Sequence, residues 1–440
     1  MSCGGEKKVS SFNTDLYENE IDSIDLNLET TDSEEEQVNY LFENAIYQPS
    51  IKTVLLHPSG NELGLPMMKL SLNDTLLLSF DDLSREPRNY YFTLIHCNAD
   101  WSPSDLMQNE YLEGFFEEPI TDYSFSFNTI QAYTHYKTTI PSSQLRPILS
   151  GNYLLIVYPE GQKEYPILSK RLMVINKKVN ISATVKRATD LEQRNFQHEI
   201  DFSIRHAGYN IDNPFSDIKT VISQNGRWDN AITDLQAVFV KNQEIIYDFE
   251  EENCFDGGNE YRFFDIQSLR FLSERLINIS YQNDTNKVML RSDYARPFKR
   301  YSNFVQDING RCLVRVQEGN DNAIEADYAL VKFTLPYDHN ITHGELYVFG
   351  QISDYGFPES HKMIFNFEQK QYERSIYLKQ GYYNYEYVLK KNDGKTINRF
   401  IEGTHYQTVN DYYIYIYHRQ SGELYDQLIG VEKLTSKDLL

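Results

Sequence analysis

Short apolar runs alternate with clusters of turn-forming residues along most of this chain. Runs at 53–56, 76–80, 91–95, 153–158 and 168–175 are rich in Val, Ile, Leu, Tyr and Phe, with Pro, Gly, Asp and Ser between them. β-branched and aromatic side chains suit a half-buried pleated surface, and the turn formers end each run, so these are predicted strands. At this spacing they predict a β-sandwich over residues 46–178. Lys177 and Lys178 precede a fresh run at 179–185 and mark a boundary. A second β-rich domain, 179–326, carries predicted strands at 199–204, 219–222, 235–240 and 312–316. Within it, Leu269, Leu272 and Leu276 keep helical spacing whereas Ile277, Ile279 and Tyr281 alternate. No N-cap and apolar stripe persist there for the ~11 residues of an average helix, which favours a strand. A third domain, 327–440, shows runs at 328–335, 345–349, 363–367, 374–378 and 383–389. A hairpin then joins 412–418 to 424–431 through a turn at 420–423. Two stretches echo each other, 151–161 and 381–394, each a Gly, an aromatic strand and a Gly turn. The predicted fold class is all-β: three tandem immunoglobulin-like or related sandwiches.

Composition narrows the picture. At 440 residues the chain is too long for one core. Its 34 Tyr and 25 Phe suit sheets. No apolar run reaches the ~20 residues of a membrane-spanning helix. The net charge of −22 argues against nucleic acid, whose phosphates need Lys and Arg clusters, and it disfavours an anionic headgroup layer on the same grounds. Residues 9–51 hold 11 Asp and Glu and no Lys or Arg, the composition of a disordered, self-repelling segment. Residues 1–45 are therefore read as an acidic tether.

The chain opens Met-Ser-Cys-Gly-Gly. A small residue before Cys3 and a polar linker after it resemble the end of a bacterial lipoprotein signal, although the apolar stretch that precedes such a Cys is missing. Either that stretch lies upstream or the likeness is accidental; the acidic segment that follows favours lipid attachment at Cys3. Cys97, Cys254 and Cys312 are an odd number, which excludes a full disulfide framework. A Cys254–Cys312 pair and two buried free thiols both remain open, the thiols being favoured.

The common catalytic signatures are absent: no G-x-S-x-G, phosphate loop, dinucleotide fingerprint, H-E-x-x-H or C-x-x-C. Asp81 and Asp82, as strand neighbours, point to opposite faces and cannot flank one bond. His96 and Cys97 face apart for the same reason, so a metal site with Asp100 and His135 is not expected. His339 and His343 lie in a loop-like stretch. No catalytic, cofactor or metal residue is assigned.

The stretch 90–136 carries the strongest pattern. A strand-like run ends abruptly at Asn98, Asp100, Ser102, Pro103 and Ser104, which places Trp101, one of two tryptophans, in an exposed corner. The words His-Cys-Asn-Ala-Asp-Trp (96–101) and Ser-Phe-Asn-Thr (126–129) occur here. So do Ile-Lys-Thr-Val (51–54), Phe-Asp-Asp-Leu (80–83) and Ser-Gly-Asn-Tyr (150–153). In their order along the chain they resemble the plug protein family of the Bacteroidetes type IX secretion system. The resemblance implies a non-enzymatic periplasmic component that binds the mouth of the outer-membrane translocon β-barrel. It would seal the barrel when no substrate is engaged, as a monomer within the complex. Membrane association would come only through an N-terminal lipid. Trp101 either covers the end of its own sandwich, since aromatic rings close cores more often than they seed interfaces, or is a partner-binding anchor, because interface hot spots favour Trp and Tyr on rigidly held loops. The third domain also resembles immunoglobulin-like modules that bind starch or glycogen, which stack sugars on tryptophan in the turn where this chain has Tyr355; neither Trp101 nor Trp228 lies in this domain, so it is read as the shared scaffold. Tyr355 and Phe357 are expected partner-binding residues, and a glycan-binding lipoprotein using this domain is the alternative reading.

Overall fold

The computed structural model describes residues 41–70, 73–84, 86–233, 235–302 and 307–439. Cys3 and most of the acidic segment lie outside them. The described chain is nearly all β, and its three α-helices have four residues each.

The first sandwich is built as the apolar runs suggest. One sheet orders Ala45–Ile46, Leu168–Ile175, Gly151–Pro159, Tyr90–Cys97 and Glu118–Ile120, with Met67–Lys69 parallel to Leu168–Ile175. The facing sheet orders Ile51–Pro58, Leu76–Asp82, Thr134–Ile140 and Asp122–Phe125. Alternate residues meet in the middle: Leu76, Leu78 and Phe80 from one sheet, Phe92, Leu94, Tyr153, Leu155 and Val157 from the other. Each such side chain contributes roughly 1.5–3 kcal/mol on burial.

Gly151–Pro159 departs from simple alternation. Its intervening residues Leu154, Ile156 and Tyr158 are also buried, in a different cluster. A strand covered on both faces reads as a continuous apolar run. The cover is a sheet of the second sandwich, whose Tyr413, Tyr415 and Tyr417 share that cluster.

The second sandwich pairs Asn180–Arg187, Gln197–Arg205, Glu244–Tyr247 and Phe239–Lys241 in one sheet. The other sheet consists of Ile218–Gln224, Asp411–His418 and Gln427–Thr435. The C-terminal hairpin forms as expected, but it pairs with Ile218–Gln224, Ile222 lying opposite Ile414. Its Ile414, Ile416 and Ile429 fill the second core beside Ile200, Phe202 and Ile204. The third core draws on Phe264, Leu276 and Val288 as well as Val331, Phe333, Val348 and Tyr385. It is thus inserted between Cys254–Asp256 and the hairpin of the second. A boundary at 326/327 divides both cores, because strand pairing joins segments about 190 residues apart.

Within 268–281 only Leu276–Gln282 is a strand, and the helical spacing before it forms no helix. The run expected at 235–240 becomes regular only at Phe239–Lys241.

Candidate functional site

Every word that carries the resemblance lies where the first sandwich meets another. Two seams result.

The first seam faces the second sandwich. Tyr90–Cys97 and Gly151–Pro159 pair so that Cys97 lies opposite Asn152 and His96 opposite Tyr153. Gly151 has φ +150°, and a Cβ there would stand 2.5 Å from His96 Nε2, so the glycine is required sterically. His96 Nδ1 meets Ser104 Oγ at 3.0 Å, and its ring lies edge-on to Tyr425 of the second sandwich, centroids 5.4 Å apart. Burial pushes the imidazole down to about 4, against the opposing pull of the Ser150 carbonyl and Asp426. Asn152 donates to the Asn98 carbonyl at 2.9 Å and accepts from Tyr417 Oη at 2.8 Å.

Trp101 closes this seam; it does not occupy an exposed corner. The residue is 4% exposed, at φ +68°, with its ring edge-on to Trp228 at 5.0 Å and the Arg171 guanidinium 4.5 Å above it. An edge-to-face aromatic pair adds about 0.5–1.5 kcal/mol beyond area burial, and a cation over the ring about as much. The turn residues do end the strand, but the second sandwich covers the corner they make. Asp426 accepts from the Ala99 amide at 2.9 Å, from Lys219 Nζ at 2.9 Å and from Arg419 Nε at 2.8 Å. Burial works against its charge, yet these donors hold the carboxyl below the ordinary range.

The second seam faces the third sandwich. Thr53, at φ +51° in a β-bulge, shares a 2.7 Å hydrogen bond with Tyr328 Oη. Asp81 accepts from Tyr328 Oη at 2.6 Å and from Lys379 Nζ at 2.6 Å, and pairs with His135 Nδ1 at 2.7 Å. Burial raises the Asp81 carboxyl, but Lys379 and His135 outweigh it and leave the group ionised at neutral pH. Lys379 also stands 4.1 Å over the Tyr133 ring. The Ser-Phe-Asn-Thr word contributes the Phe127 amide to the Ile324 carbonyl at 2.8 Å, and the amides of Ile130 and Gln131 just beyond it bond to Asp327. Lys170 pairs with Asp354 farther along the seam.

Tyr355 and Phe357 lie beside this seam in the expected turn, and both are half-buried. Phe357 stacks on Phe349 at 5.0 Å and meets Tyr347 edge-on at 5.3 Å; Tyr355 Oη reaches the Asn309 carbonyl at 3.4 Å. Neither ring stands free as a sugar platform.

Cys97, Cys254 and Cys312 are free thiols, each pushed up to about 12 by burial. Among the described residues one carboxylate group has metal-like spacing, Glu199, Asp201 and Asp248. Lys186 Nζ stands 2.9 Å from Glu199 and 2.6 Å from Asp201, so an ammonium already balances it.

Residues 51–176 match the model of the type 9 secretion system plug protein first domain. That stretch resembles the type IX secretion plug family. A hypothetical protein from Parabacteroides merdae ATCC 43184, known from a 2.30 Å crystal structure, is 35% identical with a TM-score of 0.87. The similarity covers 90% of this chain and 99% of that one, so it extends through all three sandwiches. A native alpha-2-macroglobulin structure from Escherichia coli, spanning domains NIE-MG1, is 9% identical over 46% of this chain and 96% of that one. Its TM-score of 0.17 lends nothing to the fold. No curated protein matches. The match gives the first sandwich the character of a type IX secretion plug domain, and the family words are those that join it to its neighbours.

Proposed function

We propose that the chain is a non-enzymatic plug of the type IX secretion system, bound in the periplasm to the mouth of the outer-membrane translocon barrel and sealing it when no substrate is engaged. The observation that carries this reading is the welding of the three sandwiches. A seal must resist deformation across a wide pore, and domains joined by small, wet interfaces move by default. Here the joints contain a buried ion pair, a nested aromatic cluster and a chain path that threads the third sandwich through the second. Release then requires a competing subunit or substrate with greater affinity for the barrel, a population shift needing no chemistry. Lipid attachment at Cys3 would hold the body near its partner between engagements. Affinity purification of the tagged chain from cell envelopes tests the reading. A large outer-membrane barrel retained through stringent washing supports it, and its consistent absence from crosslinked and native preparations alike refutes it.

A further inference from the structure

One end of the third sandwich reverses the charge of the molecule. The segments 274–276 and 290–302, which meet there, contain five Lys and Arg against two Asp and Glu, in a chain whose net charge is −22. The segments involved are tied together: Arg291 N bonds to the Arg275 carbonyl at 2.8 Å and Arg291 Nε to the Glu274 carbonyl at 3.0 Å. Arg296 N bonds to the Ile401 carbonyl at 2.7 Å. Beneath lies a layer in which Arg262, Arg275 and Arg296 share two carboxylates, Asp293 and Glu402, so even the paired charges leave a positive excess. Above it, Arg291, Lys299 and Arg300 have no carboxylate partner among the described residues. The same segment exposes Tyr294 and Phe298, the latter 98% exposed within Arg296-Pro-Phe-Lys-Arg300.

We infer that this basic, aromatic end docks on the anionic headgroup surface of a phospholipid bilayer. Unpaired cations gain from a negative surface within a Debye length, and an exposed ring among them can enter the headgroup and acyl boundary, where aromatic side chains are favoured. A protein partner would cover such rings with a shaped surface, whereas a fluid interface accepts a single protruding Phe without a matching pocket. The acidic remainder of the molecule is repelled, which fixes orientation: only this end approaches the membrane. The net charge that disfavours headgroups for the whole chain does not govern this one end. The inference stands apart from the plug reading, since it needs no translocon.

The test uses the full 440-residue chain, without acylation, and sedimentation with vesicles of phosphatidylethanolamine containing 30% phosphatidylglycerol, beside vesicles of phosphatidylcholine alone. Binding is expected to the anionic vesicles only and to weaken with salt. Lys299→Glu with Arg300→Glu should lower it by at least tenfold at about 1 kcal/mol per cation, and Phe298→Ser by a few fold with the salt dependence kept. Unchanged melting of these variants confirms their fold. Equal binding to both vesicle types, or binding indifferent to both variants, overturns the inference. Failure to bind anionic vesicles at low salt overturns it as well, and retention on immobilised polyglutamate in that case would assign the surface to an acidic protein.

Discussion

The two seams of the first sandwich solve one problem with different chemistry. Toward the third sandwich the joint is ionic at its centre: Asp81 and Lys379 side chains are each 1% exposed. Toward the second it is aromatic at its centre, with Trp101, Trp228, Tyr415 and Tyr417, and its cations reach Asp426 from side chains 43% and 36% exposed. A buried ion pair offsets much of its own desolvation and contributes modestly, but removing one partner strands the other charge. Aromatic packing contributes in proportion to the area covered and fails gradually as rings are trimmed. The ionic seam therefore fixes orientation, and the aromatic seam supplies adhesion.

The largest effect is expected from stranding a charge. Asp81→Asn should cost roughly 3–5 kcal/mol in denaturant unfolding, and Asp81→Asn with Lys379→Met should recover part of that loss. An Asp81→Asn cost no larger than that of removing the exposed Lys137–Asp122 pair would break the distinction between a dry seam and surface charge.

Trp101→Ala should cost about 3 kcal/mol, and Trp101→Phe clearly less, because truncation leaves a cavity that a smaller ring partly fills. A Trp101→Ala variant with unchanged unfolding but weakened translocon binding would return this residue to the surface role suggested by its loop.

Acid should reach the aromatic seam first. Burial holds the His96 imidazole near pKa 4, below its ordinary 6.5, so the unfolded chain takes up a proton that the folded chain refuses. Stability from this group is complete above pH 6.5 and is lost as the pH falls toward 4. Asp81 has the opposite chemistry, a carboxyl depressed below 3.8, and its contribution persists until the pH drops through that range. Stability measured from pH 7 to 4.5 should fall less steeply in His96→Gln than in the parent, while the cost of Asp81→Asn stays constant over the same span. Equal slopes in the parent and His96→Gln would remove His96 from the account.

The smallest difference separates two hydroxyls. Tyr328→Phe deletes a 2.6 Å hydrogen bond to the Asp81 carboxylate and should cost roughly 1.5–3 kcal/mol; Tyr417→Phe deletes a 2.8 Å bond to neutral Asn152 and should cost about 1. Double-mutant cycles against Asp81 and Asn152 would sharpen the contrast, and reversed coupling energies would undo it.

The strands of the first sandwich were legible because its sheets close over one stretch of chain. The run at 153–158 carried more than its strand: continuous apolarity meant cover on both faces, although not what the cover was. The hairpin at 412–431 was legible as a hairpin, but its third strand lies 192 residues back at the Ser223–Tyr415 contact, beyond any local pattern. Trp101 was misplaced for a related reason, since turn residues end a strand whether the corner faces water or another domain. The pair Asp81–Lys379 spans 298 positions, and a strand-end carboxylate looks the same whether it caps a turn or waits for a distant ammonium. The five words held the answer indirectly, because they place the contacts of the first sandwich with its neighbours.

The central claim, that a welded body seals an open pore, is tested most directly by outer-membrane permeability. Cells lacking the chain should admit a large antibiotic normally excluded by the outer membrane, and the parental chain should restore the barrier. Asp81→Asn should restore it incompletely. Permeability unchanged by deletion, in cells whose translocon is assembled and whose secretion is lost, would contradict the claim.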